Sequence, residues 1–307
     1  GGKLAVFKDK GLLVVLLLFV TLAAVYSVVN PLFEAPDEVW HYGYVHWLAG
    51  GHGLSQPEDS GGLGAQQWAQ EGSQPPLYYL AAGLLTAPIT GPLSGTKTGE
   101  WAAVVRPNPH AAVGNADALG NRNSLLHGGW DDWPWHGIAL GAHIARLFSI
   151  LLGAATVVFA YRTARLLAPR QRAAAVLAAA LVAFTPQFLF ISASVSNDNM
   201  VTAVCAAGVW LSVALACGRV TLRWEALAAL GLLVGLAALS KLSGLLLGPF
   251  ALLCLGLAAW RGRAQGQSWR LLVGGGAVIL GVAASVAGWW YWRNWQLYGD
   301  PLGLSAM

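Results

Sequence analysis

The sequence predicts an all-α, polytopic membrane protein with about seven transmembrane helices and a long external first loop carrying interfacial helices. Composition is the first observation: hydrophobic residues make up 56% of the 307 and charged residues only 10%, at a mean hydropathy of +0.55. The second is a series of apolar runs of the length that crosses a bilayer. The third is the distribution of bases, which cluster again after every second run.

The candidate spans are residues 12–29, 140–162, 173–192, 198–217, 223–240, 243–260 and 270–291. At about 1.5 Å per residue, each crosses or nearly crosses an apolar core about 30 Å thick. An eighth run, PPLYYLAAGLLTAPI at 75–89, is short and carries Pro75, Pro76 and Pro88. The charges decide how to read it. If it lies along the interface, Lys3, Lys8, Lys10, Arg162, Arg165, Arg170, Arg172, Arg219, Arg223, Arg261, Arg263 and Arg270 fall on one face, twelve of the eighteen bases. If it spans, every later cluster flips sides.

The expectation is therefore a multi-pass plasma-membrane protein with a cytoplasmic N-terminus. Residues 1–29 form the N-terminus and first span, 30–137 an external loop with juxtamembrane helices, 138–292 six further spans, and 293–307 an external C-terminal segment. The first run is long enough for a true span and lacks a well-placed small-residue cleavage site, so no cleavable leader is expected. Loop 30–137 holds ten of the fourteen acids and six of the seven histidines, concentrating polar chemistry on one face.

Several function classes are disfavoured. The bases form no single patch despite the net charge of +4, so nucleic acid is not the expected partner. Cys205, Cys217 and Cys254 all fall in apolar runs and read as small buried or lipid-facing residues. No P-loop or H-E-x-x-H is present. The span cores are Leu, Ala, Val and Gly, without the midplane ionisable groups of a transporter.

The stretch EAPDEVWHYGY at 34–44 stands out. Pro36 suits the first position of a helix, and Asp37 and Glu38 would then complement the dipole in its first turn. Helical spacing also puts Asp37 and His41, and Glu38 and His41, on one face above the membrane. Such a cluster can bind a divalent metal through Asp37, Glu38 and His41, or offer a carboxylate as general base toward an acceptor hydroxyl. Asn197, Asp198 and Asn199 suit helix capping, the alternative being that Asp198 faces the same cavity as Asp37. The aromatic group Trp289 to Trp292, Trp295 and Tyr298 reads as an interfacial belt. Trp130, Asp131, Asp132, Trp133 and His136 form a second acidic and aromatic knot, read as loop structure.

FEAPDEVWHYGYVHWLA, SQPPLYYL, SVSNDNMV, LSKLSGLLLGP and WYWRNWQLYGDPLG, in that order along essentially the whole chain, resemble the bacterial branch of the glycosyltransferase C superfamily. Its members are similar to protein O-mannosyltransferases and aminoarabinose transferases. The resemblance implies inverting transfer of a sugar from a polyprenyl-phosphate donor to an external acceptor, with Asp37 and Glu38 at the matching acidic positions. A lipid-phosphate leaving group calls for cations, and Lys241 and Arg293 interrupt the one-sided charge pattern, as does Arg146. Snorkelling of their stems is the alternative, and Arg146 could instead pair with an acid of the loop. His41, Gln74, Tyr78 and Asp198 are the substrate-side candidates. Relatives usually continue with more spans, so the competing expectation is a non-catalytic subunit held by protein partners. Membrane lipids and a lipid-linked donor are the expected small partners.

Overall fold

The structure, a computed structural model, describes residues 9–55, 68–91, 100–109, 111, 123–262 and 269–304. Lys3, Lys8 and Arg263 of the basic set lie outside the described residues. The described chain is helical: α1 (Lys10–Val29), α2 (Glu38–Ala49), α3 (Leu77–Thr90), α4 (Glu100–Val104), α5 (Gly137–Leu167), α6 (Arg172–Ala183), α7 (Pro186–Ser192), α8 (Asp198–Ala216), α9 (Trp224–Ala238), α10 (Leu247–Gly262) and α11 (Trp269–Tyr298). Two 3₁₀ turns, Ala69–Ser73 and Leu242–Leu246, precede α3 and α10.

Asp9 starts α1 by accepting from Gly11 N at 2.9 Å and Leu12 N at 3.3 Å. Leu12, Val15, Phe19, Ala23 and Ser27 form its buried stripe at helical spacing, while Leu17 and Val29 remain exposed as lipid-facing residues would. Asp9 also accepts from Tyr161 Oη at 2.6 Å and Arg172 Nε at 2.6 Å, tying α1, α5 and α6 together at one end. Arg261 reaches Ala216 O at 2.7 Å, joining α10 to α8 at their C-terminal ends.

Among the described residues, five helical segments are long and apolar enough to span: Lys10–Val29, Gly137–Leu167, Asp198–Ala216, Leu242–Gly262 and Leu272–Tyr298. The expected span at 173–192 is instead two helices, α6 and α7, bent by 63° to one another, the geometry of a broken span or of a re-entrant pair. Thr185 is extended because Pro186 follows it, and proline disfavours a helical residue before it. The expected span at 223–240 is shorter than its apolar run: α9 has 15 residues, about 22 Å, because the chain leaves the helix at Leu239 and Leu239 O accepts from Leu77 N at 2.9 Å. A Cβ on Gly231 or Gly235 would lie 2.7 Å from Ile279 O or Val286 Cβ, so these glycines permit close approach of α9 to α11.

At the end opposite Asp9, α2 and α3 pack on the first turns of α5. Their aromatic core contains Phe33, Tyr42, Tyr44, Trp68, Tyr78, Tyr79 and Trp101. The acidic and aromatic knot is loop structure. Glu34 accepts from Ser124 N at 2.8 Å, Leu125 N at 2.9 Å and His127 Nε2 at 3.0 Å, and His127 Nδ1 meets Asp131 at 2.5 Å.

Candidate active site

Around EAPDE, Arg146 is a buried cation at 1% exposure, and its partner Glu38 is at 0%. Arg146 Nε and Nη2 donate to Glu38 at 2.8 and 2.6 Å, and Nη1 donates to Ser27 O at 2.6 Å and Asn30 O at 2.9 Å. Nη2 also reaches Pro31 O at 3.1 Å. Glu38 accepts in addition from Phe33 N at 3.0 Å and Val195 N at 2.8 Å. Both groups are thus saturated, joining the end of α1, the start of α2, α5 and the turn before α8. Glu38 and Arg146 are committed to one another, the loop pairing being the geometry that Arg146 adopts.

Asp37 is placed differently. The helix starts at Glu38, not at Pro36, and Asp37 is its N-cap at φ 57° with no side-chain cap hydrogen bond. Left-handed backbone at a non-glycine residue costs about 1 to 3 kcal/mol, less for Asp and Asn than for bulkier residues. Asp37 is exposed, and its carboxylate has no partner among the described residues. The buried Glu38 on one side and Pro36 on the other hold it there.

One turn along α2, His41 is buried, with Nδ1 at 2.8 Å from Tyr79 Oη. Tyr79 Oη donates to Glu71 at 2.7 Å, so the network assigns the His41 proton to Nδ1. Nε2 is left as an acceptor with no hydrogen-bond partner among the described residues. Burial pushes His41 down to about 3, the Lys241 charge adding to this and Asp198 opposing it. Glu71 lies 3.3 Å from the same Nδ1 and would favour the charged ring. Burial prevails, because the Tyr79 hydroxyl already satisfies Nδ1–H.

Lys241 Nζ donates to Asp198 Oδ1 at 2.7 Å, a pair that is 31% and 47% exposed and so adds little to stability. No side chain caps α8. Asn199 Nδ2 instead reaches Ile191 O, Ser194 O and Ser196 O, and Asn197 Nδ2 donates to Gln74 Oε1, leaving the buried Asn197 Oδ1 unpartnered. Tyr78 Oη bonds Ser149 Oγ at 2.8 Å inside the core, away from any open surface. Among the described residues no three His, Cys, Asp or Glu side chains converge as a metal site would require, so Asp37, Glu38 and His41 do not form one ligand set.

Arg293 Nη2 donates to the carbonyl of Ser55, Nη1 is buried without a partner, and the guanidinium lies 5.3 Å from the Trp290 ring centroid. It has no carboxylate partner among the described residues. A half-buried cation with one buried, unpartnered donor is poised for an anion. Sequence reasoning missed Glu71 and Tyr79. Glu71 carries no spacing signal, and nothing in SQPPLYYL separates Tyr79 from its neighbour Tyr78.

Residues 130–292, more than half of the chain, match the model of the dolichyl-phosphate-mannose-protein mannosyltransferase family. The chain belongs to that family. This mannosyltransferase-family protein is also similar in fold to a chain of the S. cerevisiae protein O-mannosyltransferase Pmt1-Pmt2 complex bound to the sugar donor, at 16% identity and a TM-score of 0.58. The likeness covers 95% of this chain and 34% of the other, so the chain spans about a third of that protein's length. No curated protein matches it. A glycosyltransferase C-type, multi-pass membrane protein is thereby shown. The family match includes Arg146, Asp198 and Lys241, while Asp37, Glu38, His41 and Gln74 precede it and Arg293 follows it.

Proposed function

We propose that this protein transfers a sugar from a polyprenyl-phosphate donor to an acceptor hydroxyl, with inversion, on the external side of the plasma membrane. The carrying observation is that, of the two adjacent carboxylates, Glu38 is saturated while Asp37 is exposed and without a partner among the described residues. Asp37 takes the acceptor proton as the acceptor oxygen bonds to the anomeric carbon and the bond from that carbon to the phosphate oxygen breaks. Polyprenyl phosphate leaves with the electron pair. A positioned general base contributes typically about 10² to 10⁴-fold.

Glu38 and Arg146 act as the clamp that fixes Asp37. Arg293 and Lys241 receive the developing phosphate charge. His41 Nε2, Gln74 and Asp198 line the sugar side. The family description makes a polyprenyl-phosphate hexose such as mannose the donor to try first. The related structure is a two-subunit complex, which makes a protein partner part of the proposal.

Native mass spectrometry of protein released gently from membrane mimetics tests the donor. Retained polyprenyl-phosphate sugar, converted to polyprenyl phosphate when a hydroxyl-bearing acceptor is added, is the expected result. A chain that never retains such a lipid, even when supplied with it, and travels only with other proteins would favour a scaffold.

A further inference from the structure

Near the end of α11, Trp290 Nε1, Arg293 Nη1 and both ends of the Asn294 amide are buried without a hydrogen-bond partner among the described residues. Positions 290, 293 and 294 are spaced i, i+3 and i+4, so these groups share one helix face. Trp290 is 1% exposed and Asn294 0%. Buried polar groups ordinarily pair, and because both ends of Asn294 are open, the exception does not depend on which way the amide is turned. Trp290 packs in one cluster with Leu54, Leu77 and Leu239, the last of these two residues before Lys241. At Gly303, with φ 71°, a Cβ would lie 3.2 Å from Asn294 Nδ2 and 3.6 Å from Ser73 O, so the turn Asp300–Gly303 lies over Asn294. Gln74, next to Ser73, accepts from Asn197 Nδ2 and leaves the buried Asn197 Oδ1 open as well.

Apart from Arg293, this set is uncharged: an indole donor, an amide with donor and acceptor ends, and a second amide oxygen. A phosphate only accepts and an isoprenoid does neither, whereas neighbouring sugar hydroxyls both donate and accept and can meet every member. We infer that Trp290 Nε1, Asn294 and Asn197 Oδ1 read the hydroxyls of the donor's sugar ring and so determine which sugar is taken. The inference rests on the function proposed above and adds the residues that select the sugar. The Asp300–Gly303 turn, whose Pro301 and Leu302 are exposed, is the element that must lift to admit the ring. A buried water is the rival occupant.

The test is native mass spectrometry of the whole chain with polyprenyl-phosphate mannose, its glucose epimer and sugar-free polyprenyl phosphate. The unaltered protein should retain one hexose lipid more tightly than the sugar-free lipid. Asn294→Leu should weaken retention of that hexose lipid about tenfold, leave the sugar-free lipid unchanged and narrow the difference between epimers. Its melting temperature should hold or rise, because an apolar group of similar size replaces an unpartnered amide. Trp290→Phe, which keeps a ring and removes the Nε1 donor, is the second variant if the first does not fold. Equal retention of sugar-bearing and sugar-free lipids by the unaltered protein, or an unchanged preference in both variants, would leave only water in the site and overturn the inference. A lower melting temperature in both variants would show that these groups have partners within the fold, and would overturn it too. If sugar transfer occurs while the variants keep the original preference, only this inference fails. If the preference falls as expected and no hydroxyl acceptor receives sugar, only the enzymatic reading fails.

Discussion

At the scale of single residues, Asp37 and His41 differ in what surrounds them. Asp37 meets solvent, and its backbone conformation is one that Asn tolerates as well, so Asp37→Asn changes the chemistry without disturbing the fold. His41 is held neutral by burial. Its folded value of about 3 lies below the ordinary value of about 6.5, so the unfolded chain takes a proton that the folded chain refuses. No stability is lost on this account above about pH 6.5, and it falls progressively from there toward pH 3. Thermal unfolding in detergent should show that decline, and His41→Gln should remove it. An unchanged slope in the variant would mean that His41 is already charged in the fold. Arg293→Gln should weaken polyprenyl-phosphate binding measured by native mass spectrometry, and unaltered binding would leave only snorkelling. The oddness of Lys241 and Arg293 was visible in the sequence as cations on the wrong side of a charge pattern. The fate of Glu38 was not, because its partner is 108 positions away and local spacing carries no trace of it.

At the scale of elements, the Glu38–Arg146 clamp decides how α2 meets the bundle. Removing one partner of a buried pair strands the other, at about 3 to 5 kcal/mol. Glu38→Ala and Arg146→Met should each lower the melting temperature sharply, and the double variant should lose less than the sum. Additive losses would show that the two residues act separately. Glu34 behaves as a second tie. Burial raises its carboxyl, but hydrogen bonds from His127 and from the Ser124 and Leu125 amides outweigh this and leave it below the ordinary value. Its stabilising effect is therefore present above about pH 4.3 and fades as pH falls below that, a lower window than that of His41. Helix positions were legible from length and hydropathy. The early end of α9 was not, since its apolar run continues to Ser240 and only the bond between Leu239 and Leu77 shows why the helix stops.

At the scale of the molecule, alternating helices separate two ends of different chemistry. Asp9, Arg172 and Arg261 mark one, and Glu38, Asp37, Lys241 and Arg293 the other. With the native cysteines replaced, a single cysteine at Asp132 should react with a membrane-impermeant maleimide added outside cells, and one at Gly218 only after permeabilisation. The opposite pattern would invert the topology that positive charge implies. The whole-chain pattern was readable because hydropathy and charge act over lengths that a sequence displays directly. The clustering of Gln74 with Asn197, 123 positions apart, is a product of packing and had to be seen.

The most direct test of the central claim compares sugar transfer by the unaltered protein and Asp37→Asn, in the same vesicles, with a polyprenyl-phosphate sugar and a hydroxyl acceptor. The expected result is a loss of about 10² to 10⁴-fold at unchanged melting temperature and unchanged donor retention. Full transfer by Asp37→Asn would contradict the assignment of Asp37 as the base.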